Sequence, residues 1–162
     1  MLEQYWTEKE TAVLDQAEEY KDLLAGAMPV INRMPTPIAQ VCGPLTSGGY
    51  GSMEENMAVM QSAIDKLRSD GKNIFNQLPF EKPMQRLRNK LEPGKYSMRL
   101  LADFYLPIFN SGKITTLYFL SNWETSTGTR WEREQGEKLG LEIVDLDENF
   151  NITSTTHPLS EE

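Results

Sequence analysis

The feature that most constrains the fold is a strand–loop–helix–strand unit between residues 38 and 76. An apolar run over Ile38–Cys42 predicts a buried strand that leads into a glycine-containing loop, Gly43–Ser52. An amphipathic helix follows, because apolar residues recur at helical spacing: Met57, Met60, Ile64 and Leu67. Asn73–Asn76 is the next predicted strand. Such a unit joins parallel strands through a right-handed crossover, so we expect an α/β domain with a parallel sheet.

The rest of the chain continues this alternation. Thr115–Leu120 is β-branched and aromatic, which predicts a strand buried on both faces. The remaining predicted elements are helices over 84–91, 97–110 (kinked by Pro107) and 128–139, and a last strand over 141–146. The sequence thus predicts a sheet of four to five parallel strands.

The two ends of the chain lie outside this pattern. A helix is predicted over 7–25, and Pro29, Pro35 and Pro37 predict an irregular connector over 26–37. Residues 147–162 are polar and acidic, which predicts a flexible tail. We therefore expect an N-terminal helix and connector (1–37), an α/β domain (38–146) and the tail.

Composition narrows the possible functions. The net charge of −8 argues against polymeric nucleic acid as a partner, although the basic stretch 82–99 suits either a solvated face or one small phosphate. No apolar run is long enough to predict a membrane span. The single cysteine excludes an intramolecular disulfide and a cysteine-based zinc site, and it favours a reducing, cytoplasmic location. We expect neither a metal nor a cofactor.

Two segments carry a more specific pattern. The first contains Val41–Thr46, the Glu55-Asn56 pair and Gly71–Asn76; the second runs from Asn122 through Glu132 to Gly140. In order and spacing they resemble the uncharacterised, often phage-borne relatives of nucleoside 2-deoxyribosyltransferases. In that family one strand ends in Gly-Pro-hydrophobic-Thr, and a later strand leads into Trp-Glu-x-Ser-x-Gly-x-x-x-Glu. The resemblance covers residues 38–145.

The resemblance implies a flavodoxin/Rossmann-like three-layer domain with its site at the carboxyl ends of the strands. Related enzymes cleave the N-glycosidic bond of a nucleoside or nucleoside monophosphate, by transfer or hydrolysis. They assemble as homo-oligomers, for which the extra N-terminal helix could supply an interface or else simply pack on its own sheet. Their glutamate nucleophile matches Glu132.

Glu132 has a second interpretation. Thr129 and Glu132 have the spacing of a capping box, in which the glutamate bonds back to the start of its own helix. With Ser126 or Thr127 as the cap, Glu132 would be free for catalysis. A carboxylate suits the chemistry because glycosidic cleavage passes through a cationic sugar.

A second acid normally assists such enzymes. Relatives often carry an aspartate at the start of the third strand, where this chain reads Ile114–Thr116. Asp103 is the best substitute, and a solvated helix charge is its alternative.

The resemblance and the loop chemistry together predict the substrate contacts. The matching positions of the first motif are Gly43, Pro44, Thr46 and Asn56. The alternative for the loop glycines is that they only allow the backbone to turn. Ser126 and Gly128 form a second candidate phosphate cradle or a plain N-cap and turn. Trp123 could stack on a base or belong to the core, and Cys42 is expected in the core rather than as a nucleophile.

The favoured function is therefore an N-glycosidase or deoxyribosyltransferase-like protein with Glu132 as nucleophile or charge stabiliser. The alternative is a catalytically inactive nucleotide-binding or protein-interaction module of the same fold. It is favoured by Thr115 and Thr116, which stand where relatives often carry an aspartate. A phage-type assembly or inhibitor protein is the third hypothesis.

Overall fold

The computed structural model describes residues 3–46, 48–93 and 98–157. The first residue of the helix predicted over 97–110, residue 47 of the glycine loop and the end of the predicted tail lie outside these ranges. The chain is mixed α/β, as predicted. It divides into two compact units, residues 1–35 with 77–113 (the helical unit) and residues 36–76 with 114–162 (the sheet unit).

The helical unit contains α1 (Glu8–Gln16), α2 (Tyr20–Arg33), a short 3₁₀ turn (Leu78–Phe80) and α4 (Glu81–Leu91). It ends with α5 (Met98–Leu100), a π turn (Leu101–Tyr105) and α6 (Leu106–Phe109), which follow one another directly. Its core is aromatic, since the rings of Phe80 and Phe104 lie 5.0 Å apart by their centroids and Trp6 lies 5.2 Å from Phe80.

The connector predicted over 26–37 is wrong in its first part, because α2 continues through Pro29 to Arg33. Its buried residues recur at helical spacing on both sides of the proline: Leu23, Ala27, Val30 and Ile31. Burial of this stripe outweighs the loss of one backbone hydrogen bond at Pro29, which costs about 3 kcal/mol in a helix interior.

The helix predicted over 97–110 contains a π turn shortly before Pro107. Proline has no N–H to donate to the carbonyl four residues earlier, at Asp103. The wider turn over Leu101–Tyr105 ends two residues before the proline, as expected where the regular bonding pattern is interrupted.

The sheet unit contains β1 (Ile38–Cys42), α3 (Met53–Ser69), β2 (Ile114–Phe119), a 3₁₀ turn (Trp123–Thr125), α7 (Thr127–Lys138), β3 (Glu142–Leu146) and β4 (Ile152–Thr156). The four strands form one sheet in the order β1-β2-β3-β4. The β1–β2 and β2–β3 pairs are parallel, as predicted.

Three expectations for this sheet need correction. β4 runs antiparallel to β3, so the sheet is not wholly parallel and part of the predicted tail is a strand. All five residues of β4 are exposed, which explains why no burial pattern marks it. The strand predicted at 73–76 is reduced to one parallel bridge, Ile74 to Ala39. Thr115 on β2 is exposed, so that strand is buried on both faces only towards its carboxyl end.

Candidate functional site

The candidate site lies where β1 and β2 end, at Cys42 and Phe119, which are register partners. From β1 the chain first passes through α3 to the bridge at Ile74 on one side of Ala39, and later returns as β2 on the other side. The chain therefore moves to one side of β1 and then crosses to the other side, which reverses the strand order at β1. Open α/β sheets bind ligands at such a topological switch point, outside the carboxyl ends of the strands.

The loop after β1 is organised by Asn56, a buried residue in the first turn of α3. Its Nδ2 donates to the carbonyls of Leu45 (3.0 Å) and Gly48 (3.2 Å), and its Oδ1 accepts from the Tyr50 amide (2.9 Å). Asn56 thus holds both sides of the loop. Its predicted contact with a substrate stays a prediction.

The motif residues at the start of this loop differ in exposure. A Cβ at Gly43 would overlap the side chain of Leu120, so close packing explains this glycine. Pro44 is buried and Thr46 is exposed. Of these three residues, Thr46 therefore presents its side chain to solvent, where a ligand would arrive.

The loops after β1 and β2 meet. The Gly49 amide donates to Thr125 Oγ1 at 2.7 Å. Gly48 has φ +71° and lies so close to the Thr125 carbonyl that a side chain would collide with it. Gly48 is therefore required by its backbone geometry and by this close approach, whether or not a ligand also contacts it.

The start of α7 decides between the two interpretations of Glu132. Ser126 is the N-cap, and its hydroxyl accepts from the Thr129 amide at 3.3 Å. Glu132 is then in the second turn, outside a capping box, so the capping interpretation is wrong. Gly128 lies half-buried in the first turn, and a phosphate contact there remains a prediction.

Glu132 is buried, with 6% of its surface exposed. The thiol of Cys42 donates a hydrogen bond to its carboxylate, which brings the second turn of α7 against the end of β1. Burial, together with the charge and hydrogen bond of Glu132, raises the pKa of the Cys42 thiol well above its usual value. Cys42 is therefore a protonated donor within the core, as its sequence context predicts, and is unsuited to act as a nucleophile.

Trp123 is half-buried beside an arginine that the sequence did not single out. The Arg133 guanidinium carbon lies 4.3 Å from the Trp123 ring centroid and 4.9 Å from that of Phe119. Arg133 also forms two hydrogen bonds to Asp145, of 2.6 and 3.0 Å. The Ser154 hydroxyl donates to the same carboxylate at 2.8 Å.

Asp145 is thus held in an ion pair between α7 and β3. Hydrogen bonding to Arg133 lowers the pKa of Asp145 and raises that of Arg133. The residues that form the pair are 12 apart, on α7 and β3. Only the packing of that helix on the sheet brings them together, so no local pattern could reveal the pair.

Asp103, the predicted second acid, is half-buried in the π turn of the helical unit. Glu132 belongs to the sheet unit. The catalytic role of Asp103 therefore stays a prediction.

No protein-family model matches the chain, and comparison with curated proteins and with solved structures finds no match. Among the described residues, no helix has the length and apolar character needed to cross a membrane.

Proposed function

We propose that the sheet unit binds a nucleoside or nucleoside monophosphate at the ends of β1 and β2 and cleaves its N-glycosidic bond with Glu132. The observation that carries this proposal is the position of the carboxylate: it is buried against the end of β1 and does not cap its own helix. The proposal includes the finer fold, a flavodoxin/Rossmann-like arrangement similar to that of nucleoside 2-deoxyribosyltransferases.

A carboxylate at this place suits the reaction. When the bond from C1′ to the base nitrogen breaks, its electron pair leaves with the base, which takes up a proton, and positive charge develops on the sugar. Glu132 either stabilises that charge or forms a bond to C1′, and water or a second base then accepts the sugar. In a water-poor site this attraction is stronger than in bulk solvent.

Cys42 has a defined part in this scheme. Its thiol is a weak donor and stays neutral, so it orients the carboxylate without cancelling its charge. A cation in the same place would stabilise the carboxylate and weaken it as a nucleophile.

The second candidate is a module that binds the same ligand without turnover. Two observations favour it: only 6% of the surface of Glu132 is exposed, and Thr115 and Thr116 stand where related enzymes often carry an aspartate. In this case Glu132 would accept a hydrogen bond from the ligand, and no base would be released.

The experiment compares wild type, Glu132→Gln and Glu134→Gln on a panel of nucleosides and monophosphates, with free base measured by chromatography. Glu134 is the matched control, since it is exposed on the same helix and pairs with Lys138 at 3.0 Å. We expect base release by wild type and Glu134→Gln, and a loss of at least about a hundredfold in Glu132→Gln.

The outcomes separate the candidates. Equal base release by Glu132→Gln would contradict the role of Glu132. Thermal stabilisation by a nucleoside without base release would support the binding module, and neither response would exclude both.

Two further predictions accompany the proposal. The resemblance predicts a homo-oligomer, which sedimentation velocity of the full chain would reveal as a species larger than 18.5 kDa. The cytoplasmic location stays a prediction from cysteine usage.

A further inference from the structure

The Trp123 indole is packed against two neighbours, Arg133 and Phe119. Arg133 and Phe119 are only 4.9 Å apart, while they lie 4.3 and 5.9 Å from the Trp123 ring centroid. Arg133 lies over one face of the indole, and Phe119 meets the same ring in an edge-type contact with an interplanar angle of 69°. Among residues 3–46, 48–93 and 98–157, no ring or cation contacts its other face.

Arg133 is itself immobilised. Its side chain is 18% exposed, and both arms of its guanidinium bond to Asp145 on β3. Asp145 is fixed in turn by the Ser154 hydroxyl of β4. A planar guanidinium held by a bidentate carboxylate has a defined plane, so it stacks on an aromatic ring in one orientation.

We propose that Trp123 is the stacking platform for the planar base of the ligand and that Arg133 is the positioning residue that holds this platform. The inference rests on the proposed function, because it names the part of the same site that recognises the base. Trp123 follows β2 closely and α7 carries Arg133 next to Glu132. A base stacked on the indole face opposite Arg133 would therefore lie at the same end of the sheet as the carboxylate that meets the sugar.

Stacking contributes enough to be measured. Removal of one base-stacking aromatic weakens nucleic-acid binding by roughly tenfold or more per base. A tryptophan that is already held in place also loses little conformational freedom when the ligand binds, which favours affinity. Base identity matters little for stacking, so this platform predicts binding of both purines and pyrimidines.

The test measures nucleoside affinity by calorimetry and by quenching of tryptophan fluorescence, with free base followed in the same samples. We expect Trp123→Leu to raise Kd roughly tenfold and to remove the quenching, while Trp123→Phe keeps part of the affinity. Asp145→Asn releases Arg133 without touching the platform and should raise Kd roughly threefold.

Glu137→Gln is the matched control. Glu137 approaches Arg133 at 3.7 Å, but its side chain is 60% exposed and it takes no part in the bidentate pair. This variant should bind as wild type. If the pair is merely structural, Asp145→Asn lowers the melting temperature and leaves the Kd of the folded protein unchanged, which overturns the positioning role.

The experiment distinguishes failure of the Trp123 platform from failure of the proposed cleavage. If wild type releases base and Trp123→Leu has an unchanged Kd, the role of Trp123 as platform is overturned and the proposed function remains intact. Binding and quenching without base release would support the platform and contradict the cleavage. Absence of any nucleoside binding by wild type would overturn both.

Discussion

The helical unit and the sheet unit both bury glutamates, but they surround them differently. In the helical unit, Glu10 is ion-paired with Arg33 and completes a capping box with Thr7. In the sheet unit, Glu132 receives a hydrogen bond from a neutral thiol. The first arrangement pairs the carboxylate with a cation, and the second sets it beside a neutral donor.

Glu81 is an intermediate case within the helical unit. It is 3% exposed in the first turn of α4 and bonds to Tyr105. Burial raises its pKa to about 7, whereas the bond to Arg33 lowers the pKa of Glu10 to about 2. Burial of a carboxylate is therefore not by itself a mark of function. Glu132 differs from both because it lies at the ends of parallel strands, where ligands bind.

The largest expected effect on the free energy of unfolding concerns Glu81. Because its folded pKa of about 7 lies above the usual 4.5, the folded state binds the extra proton, and stability falls as pH rises from about 4.5 to about 7. Glu81→Gln should remove this fall, which amounts to about 3 kcal/mol. Urea unfolding at pH 5 and pH 7.5, followed by helical circular dichroism, checks it.

Glu10→Gln is the control for this pH dependence. Its carboxylate stays charged at both pH values, because the pKa of Glu10 is about 2. The variant should keep the wild-type difference between pH 5 and 7.5. The environment assigned to Glu81 would be wrong if Glu81→Gln kept that difference too.

A smaller effect is expected for Arg33→Met. The variant leaves the buried Glu10 carboxylate without its cation and should lower the free energy of unfolding by about 2 kcal/mol. This loss is smaller than is usual for a buried pair, because Arg33 is 40% exposed. Lys66→Met serves as control, since the Lys66–Asp70 pair is exposed and contributes little. Equal losses in the two variants would contradict the difference in surroundings.

The smallest effect tests helix packing in the sheet unit. A Cβ at Gly136 would lie 2.6 Å from Leu117 Cδ1 and 3.1 Å from Ile143 Cδ1, so Gly136→Ala must displace α7 or these side chains. We expect a loss of about 1 kcal/mol, the lower end for overpacking, because both neighbours are side-chain tips. A thermal melt measures it, and an unchanged melting temperature would show that α7 packs less tightly on the sheet.

Regions with a strong periodic pattern were predictable from the sequence. The structure confirms the helix predicted after the glycine loop as α3, that over 128–139 as α7, and the strand over 141–146 as β3, each close to its predicted bounds. The single helix predicted over 7–25 is two helices, α1 and α2. The prediction also ended the second one too early, because a proline was given more weight than the buried stripe on both sides of it. β4 was missed because an exposed strand of Ile, Thr and Ser shows no alternation.

Some features of the site could likewise be predicted from the sequence, and others could not. The motif positions are local features, and local spacing put Ser126 among the possible N-caps of α7, from which the structure selects it. The Cys42–Glu132 bond joins β1 to α7, and the Arg133–Asp145 pair joins α7 to β3. Contacts of this kind depend on how helices settle on a sheet, and a single sequence carries no signal for them.

The most direct measurement of the central proposal is covalent trapping at position 132. A 2-deoxy-2-fluoro nucleoside destabilises the cationic sugar and slows release of the glycosyl-enzyme, so intact mass followed by peptide mapping locates the bond. We predict one added sugar, carried by Glu132 and absent in Glu132→Gln. A sugar found on another carboxylate, or the same labelling of Glu132→Gln, would contradict the assignment of Glu132 as the nucleophile.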